Sequence, residues 1–221
     1  MSRMKIGVLI SGRGSNLETL IKATQAADYP AEIVLVISNR PGAKGLEHAH
    51  AGGIASQVID HTAYADRATF EQALDKALRA KGVELVCLAG FMRILNADFV
   101  NAWRNRLINV HPSLLPAYKG LHTHQRVIED GARLTGCTVH FVRPETDDGP
   151  IIIQAAVPVL TDDTEETLAA RVLAYEHKVY PEAVRLIAEG ATRVRGHRVQ
   201  IPAATWAVEG LVNPEIPGDV D

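Results

Sequence analysis

The sequence has few cysteines and no long apolar run, and both absences exclude classes of protein. Its 221 residues include two cysteines, Cys87 and Cys137, each within an apolar stretch. We interpret them as buried thiols of a cytoplasmic protein, and not as a disulfide framework or a metal-binding pair. No stretch approaches the roughly 18 apolar residues that a membrane-spanning helix needs. The first residues lead straight into an apolar strand without a signal-peptide pattern, so we expect a soluble cytoplasmic protein with no membrane partner.

An excess of charge of one sign is also missing. The chain has 23 basic and 26 acidic residues and a net charge of −3, so bulk charge does not indicate a nucleic-acid partner. Hydrophobic residues make up 47% of the chain, which is enough for an ordinary core. At roughly 100–200 residues per domain, we expect one domain over residues 1–190 and an extension over residues 191–221. In this extension Arg193–Ile201 can form a hairpin around Gly196-His197, and Glu209–Asp221 is typical of a loose acidic tail.

Short apolar runs alternate with amphipathic stretches through the first half of the chain. Continuous apolar runs separated by helices are typical of parallel strands that are buried on both faces. We therefore predict a doubly wound α/β half. Its strands are predicted at Lys5–Ile10, Ile33–Ile37, Gln57–Ile59 and Leu85–Ala89, with helices up to about Ala27 and over Gly42–Ala51 and Thr69–Arg79.

The second half has longer strands and one long helix. Strands are predicted at Leu107–Val110, Leu134–Val142 and Pro150–Leu160. The acidic turn Glu145–Gly149 joins the last two of them. A final helix is predicted to begin at Asp163, where Glu166 completes a capping box. Pro181 is predicted to kink or divide that helix.

A glycine-bearing loop, Ser11-Gly12-Arg13-Gly14-Ser15-Asn16, follows the first predicted strand. Glycines let the backbone approach an anion, and the N–H groups at the start of the next helix bind negative charge. Leu17 stands where a dinucleotide fingerprint needs a further glycine. This weakens the hypothesis of an NADP-dependent reductase, although Ser38-Asn39-Arg40 can hold a 2′-phosphate. A monophosphate fits the shortened loop better, and an ordinary strand–helix turn is the alternative.

A second motif, Asn109-Val110-His111-Pro112-Ser113-Leu114-Leu115-Pro116, begins near the carboxyl end of a predicted strand, where open α/β sheets bind ligands. Asn109 and His111 point to the same side of that strand, so an amide donor and a titratable acid face one reacting atom. This pair suits the oxyanion of a tetrahedral intermediate. Asp147, in the later acidic turn, can supply the carboxylate that favours a protonated imidazole. The alternatives are a histidine that caps a strand end and a solvated β-turn.

Histidines cluster in the same part of the chain, at His111, His122, His124 and His140. His122-x-His124 is half of a metal site, so metal-dependent hydrolysis is an alternative. No third and fourth ligand follow at a recognised spacing. We therefore expect no metal.

Four stretches occur in chain order: Ser11–Leu17, Leu88–Leu95, Asn109–Pro116 with Gly120–His124, and Asp147–Pro150. Together they resemble the phosphoribosylglycinamide formyltransferases, within the folate-dependent formyltransferase family. The resemblance covers about Lys5 to Gly190. It implies a single Rossmann-like formyltransferase domain with a mixed sheet of about seven strands, parallel and doubly wound in its N-terminal half.

The resemblance also implies a reaction. The formyl group of 10-formyltetrahydrofolate, as co-substrate, passes to the amine of 5-phosphoribosylglycinamide in de novo purine (IMP) biosynthesis. The amine attacks directly, without a covalent enzyme intermediate or a metal, and His111 and Asn109 stabilise the oxyanion. The expected partners are these small molecules and no nucleic acid, and the expected assembly is a monomer or a homodimer.

The residues of the site are implied by position within the matching motifs. The catalytic residues are Asn109, His111 and Asp147. The residues that hold the substrate phosphate are Gly14, Ser15 and Asn16. Glu176 contacts the glycinamide substrate, and Arg67, in the loop after the third strand, meets the benzoyl-glutamate end of the folate. The folate site as a whole comprises Arg67, Met92, Arg93, Ile94, Leu95, Asn109, Arg143, Pro144, Glu145, Thr146 and Asp147.

Three other functions compete with this one. Methionyl-tRNA formyltransferase shares the catalytic residues but has a further C-terminal domain, for which we expect no room, and needs a basic surface for tRNA. Formyltetrahydrofolate hydrolase shares them too, but has a regulatory domain before the first strand, which begins here at Lys5. A nucleotide-binding module needs the phosphate loop but not Asn109, His111 and Asp147 together.

Overall fold

Parallel strands form the first part of the sheet, as the continuous apolar runs predict. The computed structural model describes residues 2–201 and 211–213. The strands are β1 Met4–Ile10, β2 Ala31–Ser38, β3 Ser56–Val58, β4 Leu85–Leu88, β5 Leu107–His111, β6 Leu134–Phe141, β7 Ile151–Pro158, β8 Arg193–Arg195 and β9 Arg198–Gln200. The helices are α1 Ser15–Thr24, α2 Gly45–Ala51, α3 Arg67–Ala80, α4 Ala97–Ala102, α5 Thr123–Glu129 and α6 Glu165–Ala188, with a short 3-10 helix at His61–Ala63.

One mixed sheet has the strand order β3-β2-β1-β4-β5-β6-β7-β9-β8. Strands β1 to β5 pair in parallel, and β6 is antiparallel to both β5 and β7. The mixed α/β fold with a parallel first half is thus confirmed, but within residues 2–201 the sheet has nine strands and not about seven. The two further strands are the hairpin β8–β9, which joins the edge of the sheet where Arg198 pairs with Ile151. The predicted tail Glu209–Asp221 lies outside the described residues except for 211–213.

Helices cover both faces of the sheet at its centre, which is why β1 and β4 are apolar along most of their length. Alternate residues of β1 face two separate cores: Ile6 and Val8 pack with α1 and α6, whereas Leu9 packs with α3 and α4. A Cβ atom on Gly7 would lie 2.6 Å from Leu78 Cδ2, so glycine is what lets α3 pack this closely on β1. Cys87 is buried within a core, and its thiol is free. Among the described residues, no helix has the length and apolar character needed to cross a bilayer.

The helices differ from the predictions at three points. Helix α6 begins one residue after Thr164, which forms the capping box with Thr167, so the predicted pair Asp163 and Glu166 was wrong. Pro181 lies inside a continuous helix and does not divide it, because buried residues on both sides of Pro181 hold the helix against the sheet. Six or seven residues are too few to fix a helical period, so α4 and α5 were not predicted, and α2 was predicted only within the longer stretch Gly42–Ala51.

Asp163 has a different role just before α6. Its side chain is 3% exposed and pairs with the Arg171 guanidinium at 2.6 Å. It also accepts hydrogen bonds from the Leu160 N–H and the Thr167 hydroxyl, each at 2.8 Å. These contacts, with the Arg171 hydrogen bond the strongest, hold the pKa of Asp163 well below its ordinary value of 3.8. Since the folded-state pKa is the lower one, the stabilisation is present above that ordinary value and is lost as the pH falls toward the folded-state pKa.

Asp163→Asn should therefore lower the free energy of unfolding by about 2 kcal/mol at neutral pH, because hydrogen bonds to a charged group are lost. Urea unfolding at about pH 7 and about pH 3 measures the free energy of unfolding of both proteins. The difference between the variant and the wild type should be smaller at the lower pH. The exposed neighbour Asp162 provides the control variant Asp162→Asn, which should leave stability nearly unchanged. A difference of the same size at both pH values would contradict this role of Asp163.

Candidate active site

A cavity of about 570 Å³ opens at the carboxyl ends of β4 and β5. Three loops enclose it, at residues 90–95 after β4, 112–122 after β5 and 142–147 between β6 and β7. At its inner, buried end the cavity is closed by Asn16 at the start of α1 and by Glu176 in the middle of α6. Open α/β sheets bind ligands at this edge because the strand ends leave a crevice between neighbouring loops.

The structure brings Asn109, His111 and Asp147 together in this cavity. Asn109 and His111 lie on the same face of β5, and His111 is 5% exposed. His111 Nδ1 is 3.4 Å from Asp147 Oδ2, and His111 Nε2 is 2.9 Å from the carbonyl oxygen of Tyr118. A protonated imidazole can donate to both oxygens. The half-buried Asn109 lines the same cavity and makes no side-chain hydrogen bond to another described residue, so its amide is free for a ligand.

The backbone fixes the Asp147 carboxylate beside the imidazole. Asp147 has φ 51°, a left-handed conformation that aspartate tolerates better than most residues. Its Oδ2 atom accepts a hydrogen bond of 2.9 Å from the Gly120 N–H, which connects the loop before β7 to the loop after β5. Gly149 is required at the end of this loop, because a Cβ there would lie 1.5 Å from the carbonyl oxygen of Phe141.

His140 is a neighbour that sequence reasoning considered only as a metal ligand. It pairs with Asn109 across β5 and β6, and its Nε2 atom is 3.8 Å from Asp147 Oδ1. Burial lowers the pKa of His140 to about 4, so this imidazole is neutral near pH 7. Its Nδ1 lies 3.2 Å from the Phe141 carbonyl oxygen, so Nδ1 bears the hydrogen and Nε2 does not. Of the two imidazoles, only that of His111 can therefore donate a hydrogen bond to the Asp147 carboxylate. No sequence motif predicts that His140 lies in the site, because only the register of β6 on β5 places it beside Asn109.

A second polar pair closes the inner end of the cavity. The Asn16 side-chain amide donates a hydrogen bond of 2.7 Å to Glu176 Oε2. Glu176 is 7% exposed, and burial raises the pKa of its carboxyl group. The Asn16 Oδ1 atom is buried without a hydrogen-bond partner among the residues that the structure describes. Helices α1 and α6 therefore present an amide and a carboxyl group to whatever fills this end.

Known proteins match both the sequence and this geometry. Residues 4–184 match the family model described as formyl transferase. The chain belongs to the formyl transferase family. It is 52% identical over 193 residues to the trifunctional purine biosynthetic protein adenosine-3 of Gallus gallus, covering 87% of this chain and 19% of that protein. It thus spans about a fifth or less of these trifunctional relatives.

Two other relatives match over nearly their whole length, and a third matches over 70% of its length. Phosphoribosylglycinamide formyltransferase of Escherichia coli is 42% identical over 212 residues, which cover 96% of this chain and 100% of that protein. The crystal structure of glycinamide ribonucleotide transformylase 1 from Symbiobacterium toebii has a TM-score of 0.88 and 48% identity over 90% of this chain and 94% of that one. Formyltetrahydrofolate deformylase from Burkholderia mallei has a TM-score of 0.82 and 28% identity over 90% of this chain and 70% of that one.

The glycine loop of this formyl transferase leads into α1 as the sequence predicts. Gly14 precedes the helix with φ 79°, and a Cβ atom on it would lie 2.6 Å from the Cα of Gly45. Only glycine fits both requirements. Asn16 lines the large cavity, whereas Gly14 and Ser15 lie beside it at the helix start.

The predicted folate residues of the formyl transferase line the cavity, with one exception. Met92 and Ile94 are 64% and 66% exposed at its rim, and Leu95 is buried. The loop Arg143–Asp147 forms the facing wall, anchored by an Arg143 hydrogen bond of 2.6 Å to Asn105 Oδ1.

Arg67 is the exception. It is the first residue of α3 and not part of a loop, because Asp66 caps that helix through a hydrogen bond of 2.8 Å from the Thr69 N–H. Its side chain is exposed and lies outside the lining of the cavity. The prediction that Arg67 lies in a loop was therefore wrong.

The histidine pair His122-x-His124 does not converge with other ligands. Among residues 2–201 and 211–213, no group of three or more His, Cys, Asp or Glu side chains has the geometry to hold a metal ion. His122 lines the cavity, whereas burial lowers the pKa of His124.

Proposed function

We propose that this formyl transferase moves the formyl group of 10-formyltetrahydrofolate to the amine of 5-phosphoribosylglycinamide, a step of de novo purine (IMP) biosynthesis. The observation that carries this proposal is the convergence of Asn109, His111 and Asp147 in one cavity. The sequence similarity to phosphoribosylglycinamide formyltransferase over 96% of the chain supports it. As partners we propose these two small molecules and no nucleic acid, in the cytoplasm.

The cavity has room for two substrates that approach from opposite ends. At the inner end, the start of α1 is suited to the phosphate, because helix N-termini bind anions, and Glu176 faces the glycinamide part. At the outer end, the exposed apolar side chains of Met92 and Ile94 are suited to the flat pterin ring. The reacting amine and formyl group then meet beside Asn109 and His111.

The residues at this meeting point suit direct formyl transfer. The substrate amine attacks the formyl carbon, a C–N bond forms, and the carbonyl oxygen becomes an oxyanion. The Asn109 amide donates a hydrogen bond to that oxygen, and so does the Nε2–H of the protonated His111 once it leaves the carbonyl oxygen of Tyr118. The bond between the formyl carbon and N10 of the folate then breaks, and the amine proton passes to N10 through the imidazole. Asp147 balances the positive charge of His111 during these steps.

A comparison of acceptors tests this function. The enzyme is supplied with 10-formyltetrahydrofolate together with 5-phosphoribosylglycinamide, initiator methionyl-tRNA or water alone, and the release of tetrahydrofolate is measured. We expect release only with the ribonucleotide. Equal release in water alone would instead indicate a hydrolase like the deformylase with which the chain shares its fold. No release with any acceptor would favour a binding module.

Gly14→Ala should raise the KM for 5-phosphoribosylglycinamide by about tenfold, because alanine is strained at φ 79° and would collide with Gly45 at the start of α1. The KM for the folate should change much less. Gly12→Ala is the matched control, since a Cβ on Gly12 would have no neighbour within 4 Å and its φ is not positive. Steady-state kinetics with each substrate varied in turn measure both constants. The same KM in the two variants would contradict the role of Gly14.

A further inference from the structure

The loop between β4 and α4 forms the apolar rim of the cavity. Within this loop the side chains of Phe91 and Leu95 are buried, whereas those of Met92 and Ile94 are largely exposed. At its start, the Met92 N–H donates a hydrogen bond of 2.8 Å to the buried hydroxyl of Ser11. The positions of the exposed rim side chains therefore depend on how the two ends of the loop are fastened.

Glu71, on α3, fastens the other end. The Asn96 N–H donates a hydrogen bond of 2.9 Å to Glu71 Oε1, just before α4 begins. Glu71 is 3% exposed, and its Oε2 atom is buried without a hydrogen-bond partner within the described part of the chain. Burial raises the pKa of this carboxyl group, while the Asn96 hydrogen bond and the charges of Arg67 and Arg93 oppose that rise.

A buried carboxyl group of this kind is unfavourable for stability by itself. Removing it from water costs free energy that one hydrogen bond does not fully offset. An apolar residue on α3 would serve packing better, as Phe70 and Leu74 do on the same helix. What Glu71 adds is a hydrogen-bond acceptor for the backbone of the loop at residues 90–96, called the rim loop below.

We propose that Glu71 is a positioning residue for the formyl donor: it fixes the end of the loop at residues 90–96 and so presents Met92 and Ile94 to the folate. This inference rests on the proposed function. Because the loop lines the outer end of the cavity and the ribonucleotide fills the inner end, loss of this anchor weakens the binding of one substrate only.

Glu71→Leu tests the proposal, since leucine is of similar size but cannot accept the Asn96 hydrogen bond. We expect the KM for 10-formyltetrahydrofolate to rise about tenfold, as for the loss of one buried hydrogen bond. The KM for the ribonucleotide and kcat should change by less than about twofold. Glu71→Gln keeps an acceptor oxygen and should return the folate KM to within about threefold of the wild type.

Asp75→Leu is the matched control. Asp75 follows Glu71 by one turn of α3 and accepts a hydrogen bond of 2.8 Å from Trp103 Nε1, beyond the end of α4 and outside the cavity. This variant loses that hydrogen bond, so it should lower the thermal unfolding temperature and leave the folate KM unchanged. An unchanged folate KM in Glu71→Leu, or an equal rise in Asp75→Leu, would overturn the proposal.

Two further measurements keep the test decisive. If Glu71→Leu does not fold, Glu71→Met replaces it, because methionine adapts to irregular sites. Amide hydrogen exchange at Asn96 should become faster in either variant, and unchanged protection there would also refute the anchor. A wild-type enzyme that is inactive with both substrates refutes the proposed function, whereas an active wild type with an unaffected folate KM in the Glu71 variants refutes only the positioning role.

Discussion

Asp147→Asn should reduce kcat by about a thousandfold while the protein remains folded. Asparagine has the same size and keeps an oxygen that can accept the Gly120 N–H, so the loop before β7 keeps its connection. The variant loses the negative charge that faces His111 Nδ1 at 3.4 Å. Without that charge, no carboxylate balances the positive charge that the imidazole bears while it donates to the oxyanion.

The adjacent residue offers a control for this variant. Asp148 pairs with Lys119, and its side chain is 43% exposed to solvent. Asp148→Asn should therefore leave kcat within about twofold of the wild type, because an exposed ion pair contributes little. Steady-state rates and a thermal unfolding curve are needed for both variants. Full activity in Asp147→Asn, or an equal loss in Asp148→Asn, would refute the catalytic assignment of Asp147.

His111→Gln should lower kcat by about 10²- to 10⁴-fold, since glutamine can donate a hydrogen bond but cannot hold and release a proton near pH 7. The substrate KM values should change far less, because the lost interaction forms mainly in the transition state. His197→Gln serves as the control. His197 is exposed at the turn of the β8–β9 hairpin and lies outside the large cavity, so this variant should retain the wild-type rate.

A double variant tests whether the two residues act as a unit. If Asp147 works only through His111, then His111→Gln combined with Asp147→Asn should be about as slow as His111→Gln alone. Losses that multiply would show that Asp147 acts on the substrates by another route. Since Asp147 also accepts a hydrogen bond from the Gly120 N–H, such a result would indicate that the carboxylate orders the loop after β5.

Much of the fold follows from local patterns. The run from Lys5 to Ile10 is apolar at successive positions because β1 is covered on both faces, and the same holds for the runs that became β2 and β4. The hairpin around Gly196 was visible as a turn, but its attachment to β7 was not, because a pairing between distant segments leaves no mark in a short stretch of sequence. The two short helices were missed for a related reason: they have fewer than about two turns.

The candidate site divides in the same way. The Asn109–His111 spacing indicates two side chains on one face of a strand, and the structure shows them at the end of β5. Arg67, in contrast, lies in no motif that indicates its place in the structure. It is at the exposed start of α3 because Asp66 caps that helix.

The sequence by itself determined the class of fold, the glycine loop at the start of α1 and the motif that contains His111, because each depends on residues that are close together in the chain. Tertiary structure decided which groups meet. The register of β6 on β5 places the neutral His140 beside Asp147, and the packing of α3 on the sheet brings Glu71 to the rim loop. These contacts join residues far apart in the chain, and their geometry depends on strand register and helix packing, which local patterns do not specify.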